Sequence, residues 1–111
     1  VELRARTDSD LPAAVAVLRQ VHEQDGYPVR WHEPADGWLT PAETVAAWVV
    51  VEGAALLGHV VLESHRDGLH VGRLFVAPDA RGRGVADLLL DATEAEALAR
   101  QQPLSLEVHV S

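Results

Sequence analysis

The run Leu74-Phe75-Val76-Ala77-Pro78-Asp79-Ala80-Arg81-Gly82-Arg83-Gly84-Val85-Ala86 holds the residue types best placed to do chemistry in this sequence. An apolar strand-like stretch stops at Pro78, and an arginine- and glycine-rich turn then opens a helical pattern. The first N–H groups of a helix lack internal partners, and the aligned peptide dipoles leave partial positive charge at that end. Gly82 and Gly84 carry no Cβ, so a ligand can come close to the backbone. Arg81 and Arg83 add fixed charge, and with Arg73 they put three of nine arginines within eleven residues of an acidic chain. Donors, dipole and guanidinium groups together make a local pyrophosphate site. Two commoner phosphate motifs do not fit. A P-loop requires a lysine, and the sequence has none; a dinucleotide fingerprint requires a third glycine where Asp87 stands.

Composition narrows the remaining chemistry. The chain has 111 residues, 48% hydrophobic, which predicts a single domain over residues 1–111 with a packed core. Seventeen acidic residues against nine basic ones give a net charge of −8. Such a chain does not follow a phosphate backbone by bulk electrostatics, so neither nucleic acid nor an anionic membrane is an expected partner. The absence of cysteine excludes disulfides, thiolate metal sites and a thiol nucleophile, and the absence of lysine excludes Schiff-base chemistry. No apolar run is long enough to span a membrane, and Val1–Arg6 does not read as a signal peptide, so a cytoplasmic location is expected.

The elements that must position the turn follow from periodicity. Val1, Leu3 and Ala5 alternate with Glu2, Arg4 and Arg6, the pattern of a half-buried strand. Asp8, Ser9 and Asp10 offer cap oxygens, and Leu11, Ala14, Val15, Leu18, Val21 and His22 share one face of a helix running to about Gln24, ended by Gly26 and Pro28. Residues 27–39 show no clean period and hold Tyr27, Trp31 and Trp38. Thr40-Pro41-Ala42-Glu43 has the form of a cap followed by a helical turn. Ala47–Glu52 and Ala55–Glu63 read as strands joined at Gly53-Ala54, and His70–Ala77 as another strand after the turn Arg66-Asp67-Gly68. From Gly82 to about Gln101 the stripe Val85, Leu88, Leu89, Ala92, Ala95 and Leu98 predicts a long helix. Beyond Pro103, Leu104–Val110 alternates as a last strand. This order predicts an α+β domain with a mixed, mostly antiparallel sheet and flanking helices.

In this setting Arg81-Gly82-Arg83-Gly84-Val85-Ala86, after Val76-Ala77-Pro78, resembles the signature of the GNAT superfamily of acyl-CoA-dependent N-acetyltransferases. The resemblance extends over nearly the whole chain, including Leu57-Gly58-His59-Val60. It implies acetyl-CoA as cosubstrate, with its pyrophosphate on the amides from Gly82 to Ala86 and on Arg81 and Arg83. Val76, after Leu74 and Phe75, would pair with the pantetheine like an added strand. The N–H of Leu74 would face the thioester oxygen, where one donor is typically worth ~3 kcal/mol as charge develops. Strands holding Leu74 and Leu106 would splay to admit the cofactor. The implied activity is acetyl transfer to a primary amine of a small molecule or peptide by direct attack. The rival class is a non-catalytic acyl-CoA-binding or regulatory module.

An attacking amine must first lose its proton, and an imidazole titrates in the right range to take it. His70 is the candidate base, because residues 70, 72, 74 and 76 share one parity in a regular strand and His70 would then face the same side as Leu74. Glu63 is a second candidate, otherwise read as an exposed strand-end carboxylate. The remaining histidines (22, 32, 59, 65 and 109) show no metal-ligand spacing, so no metal is expected. The resemblance places Tyr27 and Trp31 in the acceptor pocket, with Glu33 and Asp36 suited to a cationic amine; the competing reading, slightly favoured, is that Trp31 and Trp38 fill core. It also implies a further helix and two strands after the fifth strand. The chain is therefore expected to be truncated at its C-terminus, with an exposed strand edge that favours a homodimer.

Overall fold

The computed structural model describes residues 1–106. The elements are β1 (Glu2–Ala5), α1 (Leu11–Asp25), α2 (Ala35–Trp38), β2 (Thr44–Glu52), β3 (Ala55–His65), β4 (Gly68–Val76), α3 (Val85–Arg100) and β5 (Leu104–Leu106). The five strands form one sheet in the order β1-β2-β3-β4-β5. Pairing is antiparallel except between β4 and β5, which α3 joins as a crossover. This is the mixed, mostly antiparallel sheet expected from the order of elements. Of the expected last strand, Leu104–Leu106 is present, and residues 107–110 lie outside the described residues.

The hairpins form where turn residues allow them. Gly53 takes φ +59° in the two-residue link that sets Glu52 opposite Ala55, and Gly68 takes φ +131° where β4 begins opposite His65. Gly26 closes α1 in the left-handed region at φ +73°, its N–H bonded to the His22 carbonyl at 3.0 Å. The core consists of Val17, Leu18 and Val21 of α1, Val49 and Val50 of β2, Val60 of β3, Phe75 of β4, and Val85 and Leu89 of α3. Among the described residues no helix is long and apolar enough to cross a membrane.

Four local expectations are corrected. In β1 it is the arginine parity that turns inward: Arg4 meets Asp10 at 2.8 Å, while Val1 and Leu3 are exposed. As an edge strand, β1 can spend its inner face on guanidinium groups because fixed acceptors wait for them. Thr40 starts no helix; its Oγ1 accepts from Arg6 Nη2 at 2.6 Å, and the short helix forms earlier, at Ala35–Trp38, behind Pro34. The buried stripe of α3 is Val85, Leu89, Thr93 and Ala97, whereas Leu88 and Leu98 are exposed. Thr93 is admitted to the core because its hydroxyl donates to the Leu90 carbonyl at 2.7 Å. Finally, α3 starts at Val85 and not at Gly82, since Gly82 and Gly84 sit at φ +78° and +77°, outside helical space.

The fourth strand carries the feature that matters most for the site. Val61 pairs with Gly72 and His59 with Phe75, so two residues, Arg73 and Leu74, share the single position opposite Val60. Arg73 adopts φ +52° there. This β-bulge inverts the side-chain alternation. His70 and Gly72 therefore fall in phase with Phe75, and the parity expected to align His70 with Leu74 does not hold.

Candidate functional site

A cleft of about 1050 Å³ runs along β4, walled by the end of α1, by Tyr27 and by Leu90 of α3. Its lining includes His70, Leu74, Phe75, Val76, Arg81 and Tyr27 of the expected site residues, brought together despite the bulge. Leu74 and Leu106 both face it, and the β4–β5 pairing is described as far as Val71 and Leu106.

At the far end of β4 the chain makes its turn into α3. Gly84 is the N-cap and supplies no capping side chain, so the first amides of the helix, from Val85 onward, are not claimed by a cap. A Cβ placed on Gly82 or Gly84 would meet nothing within 4 Å, so the turn presents open backbone. Val85 itself is buried against Gly58, and Ala86 is half-buried, which leaves their amides rather than their side chains for a ligand. Arg81 forms an ion pair with Asp25 at the end of α1, and Arg83 pairs with Glu52 at 2.8 Å. The Arg81 contact, foremost as a hydrogen bond, holds the Asp25 carboxyl below the usual carboxylate range. Both guanidinium groups remain substantially exposed, so these pairs orient the arginines at little energetic cost to a competing anion. Uncapped amides, open glycines and two oriented guanidinium groups fit the pyrophosphate of a coenzyme A thioester.

The other end of the cleft gathers titratable groups. His70 Nε2 lies 2.8 Å from Asp67 Oδ1 across the β3–β4 turn. A carboxylate can only accept, so Nε2–H is the donor in this bond and Nδ1 is the ring nitrogen that takes no part in it. The bond to His70 is the leading cause of a lowered Asp67 pKa. The His65 ring stands edge-on to His70, with centroids 4.5 Å apart. Glu63 faces His70 in the register and lines the cleft, its side chain only 14% exposed. It is thus not the exposed strand-end carboxylate expected from its position in the sequence. The Tyr27 phenol has a raised pKa, from burial first, with Arg73 opposing and Glu63 adding to the rise.

Trp31 does not join this group. Its indole N–H donates to Glu33 Oε1 at 2.7 Å, Arg19 covers its face at 4.4 Å, and His22 packs on it at 5.5 Å. Glu33 is thereby occupied, and Asp36 accepts from the Gly37 N–H at 2.9 Å, so neither carboxylate lines the cleft. Trp38 instead braces the bulge: its carbonyl accepts from Arg73 Nε at 2.8 Å, and its ring lies under the same guanidinium at 4.0 Å. His59 fixes the opposite side of the bulge. Its Nδ1–H donates to the Arg73 carbonyl at 2.9 Å, and its Nε2 accepts from Arg6 Nη1 at 2.9 Å. This end of the cleft thus contains Glu63, and Asp67 stands behind it as the partner of His70. The available signals were the Asp67-x-x-His70 spacing across a turn and a glycine, Gly72, within a strand. Among the described residues no group of three or more His, Asp or Glu is placed to hold a metal ion.

A family profile described as an acetyltransferase (GNAT) domain matches residues 32–111. No curated protein matches the sequence. Similar folds occur in solved structures. The ribosomal-protein-S18-alanine N-acetyltransferase of Escherichia coli superposes with a TM-score of 0.79 at 20% identity, over 99% of this chain and 68% of that one. A GNAT family acetyltransferase from Brucella melitensis in complex with acetyl-CoA gives 0.71 at 20% identity, over 99% of this chain and 77% of that one. The PaiA N-acetyltransferase from Thermoplasma acidophilum in complex with coenzyme A gives 0.76 at 16% identity, over 97% and 79% of the two chains.

Proposed function

The chain belongs to the GNAT acetyltransferase family, and from that premise we propose that it moves the acetyl group of acetyl-CoA directly onto a primary amine of a small molecule or peptide. The observation that carries this reading is the continuity of one cleft from Arg81 past Val76 and Leu74 to His70. Acetyl-CoA supplies the acyl carbon as a thioester, whose C–S bond breaks as the C–N bond to the amine forms.

The chain's own residues divide the remaining work. Arg81, Arg83 and the amides from Gly82 to Ala86 hold the pyrophosphate through charge-assisted bonds at a dipole end. Val76 pairs by its backbone with the extended pantetheine arm, beside Phe75. The Leu74 N–H donates to the carbonyl oxygen as negative charge grows on it. His70 takes the amine proton on Nδ1, while Asp67 holds Nε2–H and steadies the imidazolium that results. Tyr27 forms one wall of the acceptor pocket. The 111 residues hold no cysteine, which favours direct attack over a thiol acyl-enzyme.

Isothermal calorimetry with acetyl-CoA, followed by acetyl transfer to a panel of primary amines, tests the proposal. Binding with stoichiometric heat and turnover of at least one amine are expected. Absence of any heat of binding by the folded protein would overturn it. Binding without turnover would instead favour the non-catalytic module.

A further inference from the structure

We infer that Glu63 is the residue that receives the acceptor, binding it as a primary ammonium beside His70. The inference rests on the acetyl transfer proposed above and names the class of amine that the cleft takes.

Gly72 supplies the first observation. It lies in β4 opposite Val61, immediately before the bulge, and has no left-handed φ of its own that would call for glycine. A glycine inside a strand marks a bulge or a place where another group comes close to the backbone. Here that neighbour is Glu63: a Cβ built on Gly72 would stand 2.6 Å from Glu63 Oε2. The missing side chain makes room for a carboxylate on the floor of the cleft.

The second observation is the charge around that carboxylate. Among the described residues its one ion-pair partner is His65, at 3.5 Å, and no arginine reaches it. The guanidinium groups lining the cleft are engaged elsewhere, Arg81 with Asp25 and Arg73 with the Trp38 carbonyl and ring. A largely buried carboxylate without a permanent cation is costly, and a cation arriving from solution relieves that cost. The Tyr27 ring lines the same cleft and offers an aromatic wall to such a cation or to its carbon chain.

Position makes this relevant to the reaction. Gly72 and Leu74 flank Arg73 and line one cleft, and Glu63 faces His70 across the β3–β4 ladder. An ammonium on Glu63 is therefore poised between the imidazole that takes its proton and the site of attack. One proton passes from the ammonium nitrogen to His70 Nδ1, and the freed lone pair attacks the acyl carbon. Because Glu63 favours the charged amine, it contributes to ground-state binding and not to the attack itself.

The test uses phenethylamine, a cation at neutral pH, and aniline, which is neutral there. In Glu63→Gln, the dissociation constant of phenethylammonium for the CoA-saturated protein, read by calorimetry, and its KM are expected to rise by about tenfold or more. At the same time kcat stays level or rises, as befits loss of a ground-state interaction. The affinity for acetyl-CoA and the parameters for aniline are expected not to move. Gly72→Ala, which keeps the charge but displaces the carboxylate, is expected to shift the phenethylamine constants in the same direction. An unchanged phenethylamine constant in Glu63→Gln, a fall in kcat with KM unmoved, or no phenethylamine binding to the CoA-saturated wild type would each overturn the inference. Loss of acetyl-CoA binding in the wild type is a different failure and would remove the proposed function itself.

Discussion

His70 and Asp67 form a hydrogen-bonded pair, Nε2 to Oδ1 at 2.8 Å, across the turn that begins β4. The carboxylate fixes which ring nitrogen bears the proton and so which one can accept another. In the proposed reaction His70→Gln removes the proton acceptor, and kcat at neutral pH is expected to fall by about a hundredfold. Asp67→Asn keeps the imidazole but loses its charge partner, so a smaller loss, roughly tenfold, is expected. Steady-state rates at saturating acetyl-CoA measure both, and calorimetry should show unchanged acetyl-CoA affinity. A His70→Gln variant with wild-type kcat would remove His70 from the role.

The turn that opens α3 gives a second prediction. Gly84 sits at φ +77°, so Gly84→Ala adds about 1 kcal/mol of backbone strain although a Cβ would meet no neighbour there. A modest drop in melting temperature is expected together with weaker CoA binding, because the amides no longer point as they did. Arg83→Gln removes one charged donor to the phosphates, worth about 1.5 kcal/mol, or roughly a tenfold rise in Kd. Its partner Glu52 is exposed, so the melting temperature of Arg83→Gln should hardly change. Equal CoA affinity in both variants and the wild type would contradict the assignment of the turn.

His59 makes stability depend on pH. Burial first, and the charges of Arg6 and Arg73, lower its pKa from 6.5 to about 4, although the bond to the Arg73 carbonyl opposes the shift. The unfolded chain takes up a proton below pH 6.5 that the folded protein refuses until about pH 4, so acid favours unfolding through that window. The contribution is complete above the unfolded pKa and lost as pH falls, by about 2 kcal/mol at pH 5. Thermal melts from neutral to mildly acidic pH should fall accordingly. His59→Gln should melt lower at neutral pH, from loss of buried hydrogen bonds, yet show a flatter pH profile. An identical pH profile in the two proteins would refute the claim.

Gly58 couples the sheet to the cofactor turn. A Cβ there would lie 2.6 Å from Val85 Cγ1 and 2.9 Å from Leu89 Cδ1. Gly58→Ala must therefore push the first two turns of α3 off the sheet, at a cost of about 1–3 kcal/mol. Reduced CoA affinity is expected along with the lower melting temperature, since the displaced residues include Val85 at the helix start. Chemical denaturation and calorimetry on the same variant test both halves.

Much of this was legible in the amino-acid order. The hairpins at Gly53 and Asp67-Gly68, the start of α1 at Leu11, the crossover helix and the glycine turn all rest on local signals, although the Asp10 carboxylate accepts from Thr7 and caps no amide of α1, and α3 begins three residues after Gly82. What escaped were features decided by partners distant in sequence. Thr40 has the local form of a helix cap, but Arg6 takes its hydroxyl. The stripe of α3 turns on Thr93, polar by type yet buried at 0% exposure because its hydroxyl is satisfied within the helix. For Trp31 the order of residues leaves pocket wall and packing both open, and its contacts are with Arg19, His22 and Glu33. His70 and Leu74 share a parity only in an unbroken strand, and β4 is broken between them. Arg73 at positive φ, held by Trp38 and by His59, is not foreseeable from residue type alone.

That break in β4 has a mechanical consequence. Upstream of Arg73 the strand is fixed to the hairpin by His70 opposite Glu63, and downstream by Phe75 opposite His59 and Val76 opposite Gly58. The extra residue between the two halves lets each keep its own alignment with β3, so a disturbance at the hairpin end can be absorbed before it reaches the segment that leads into the glycine turn.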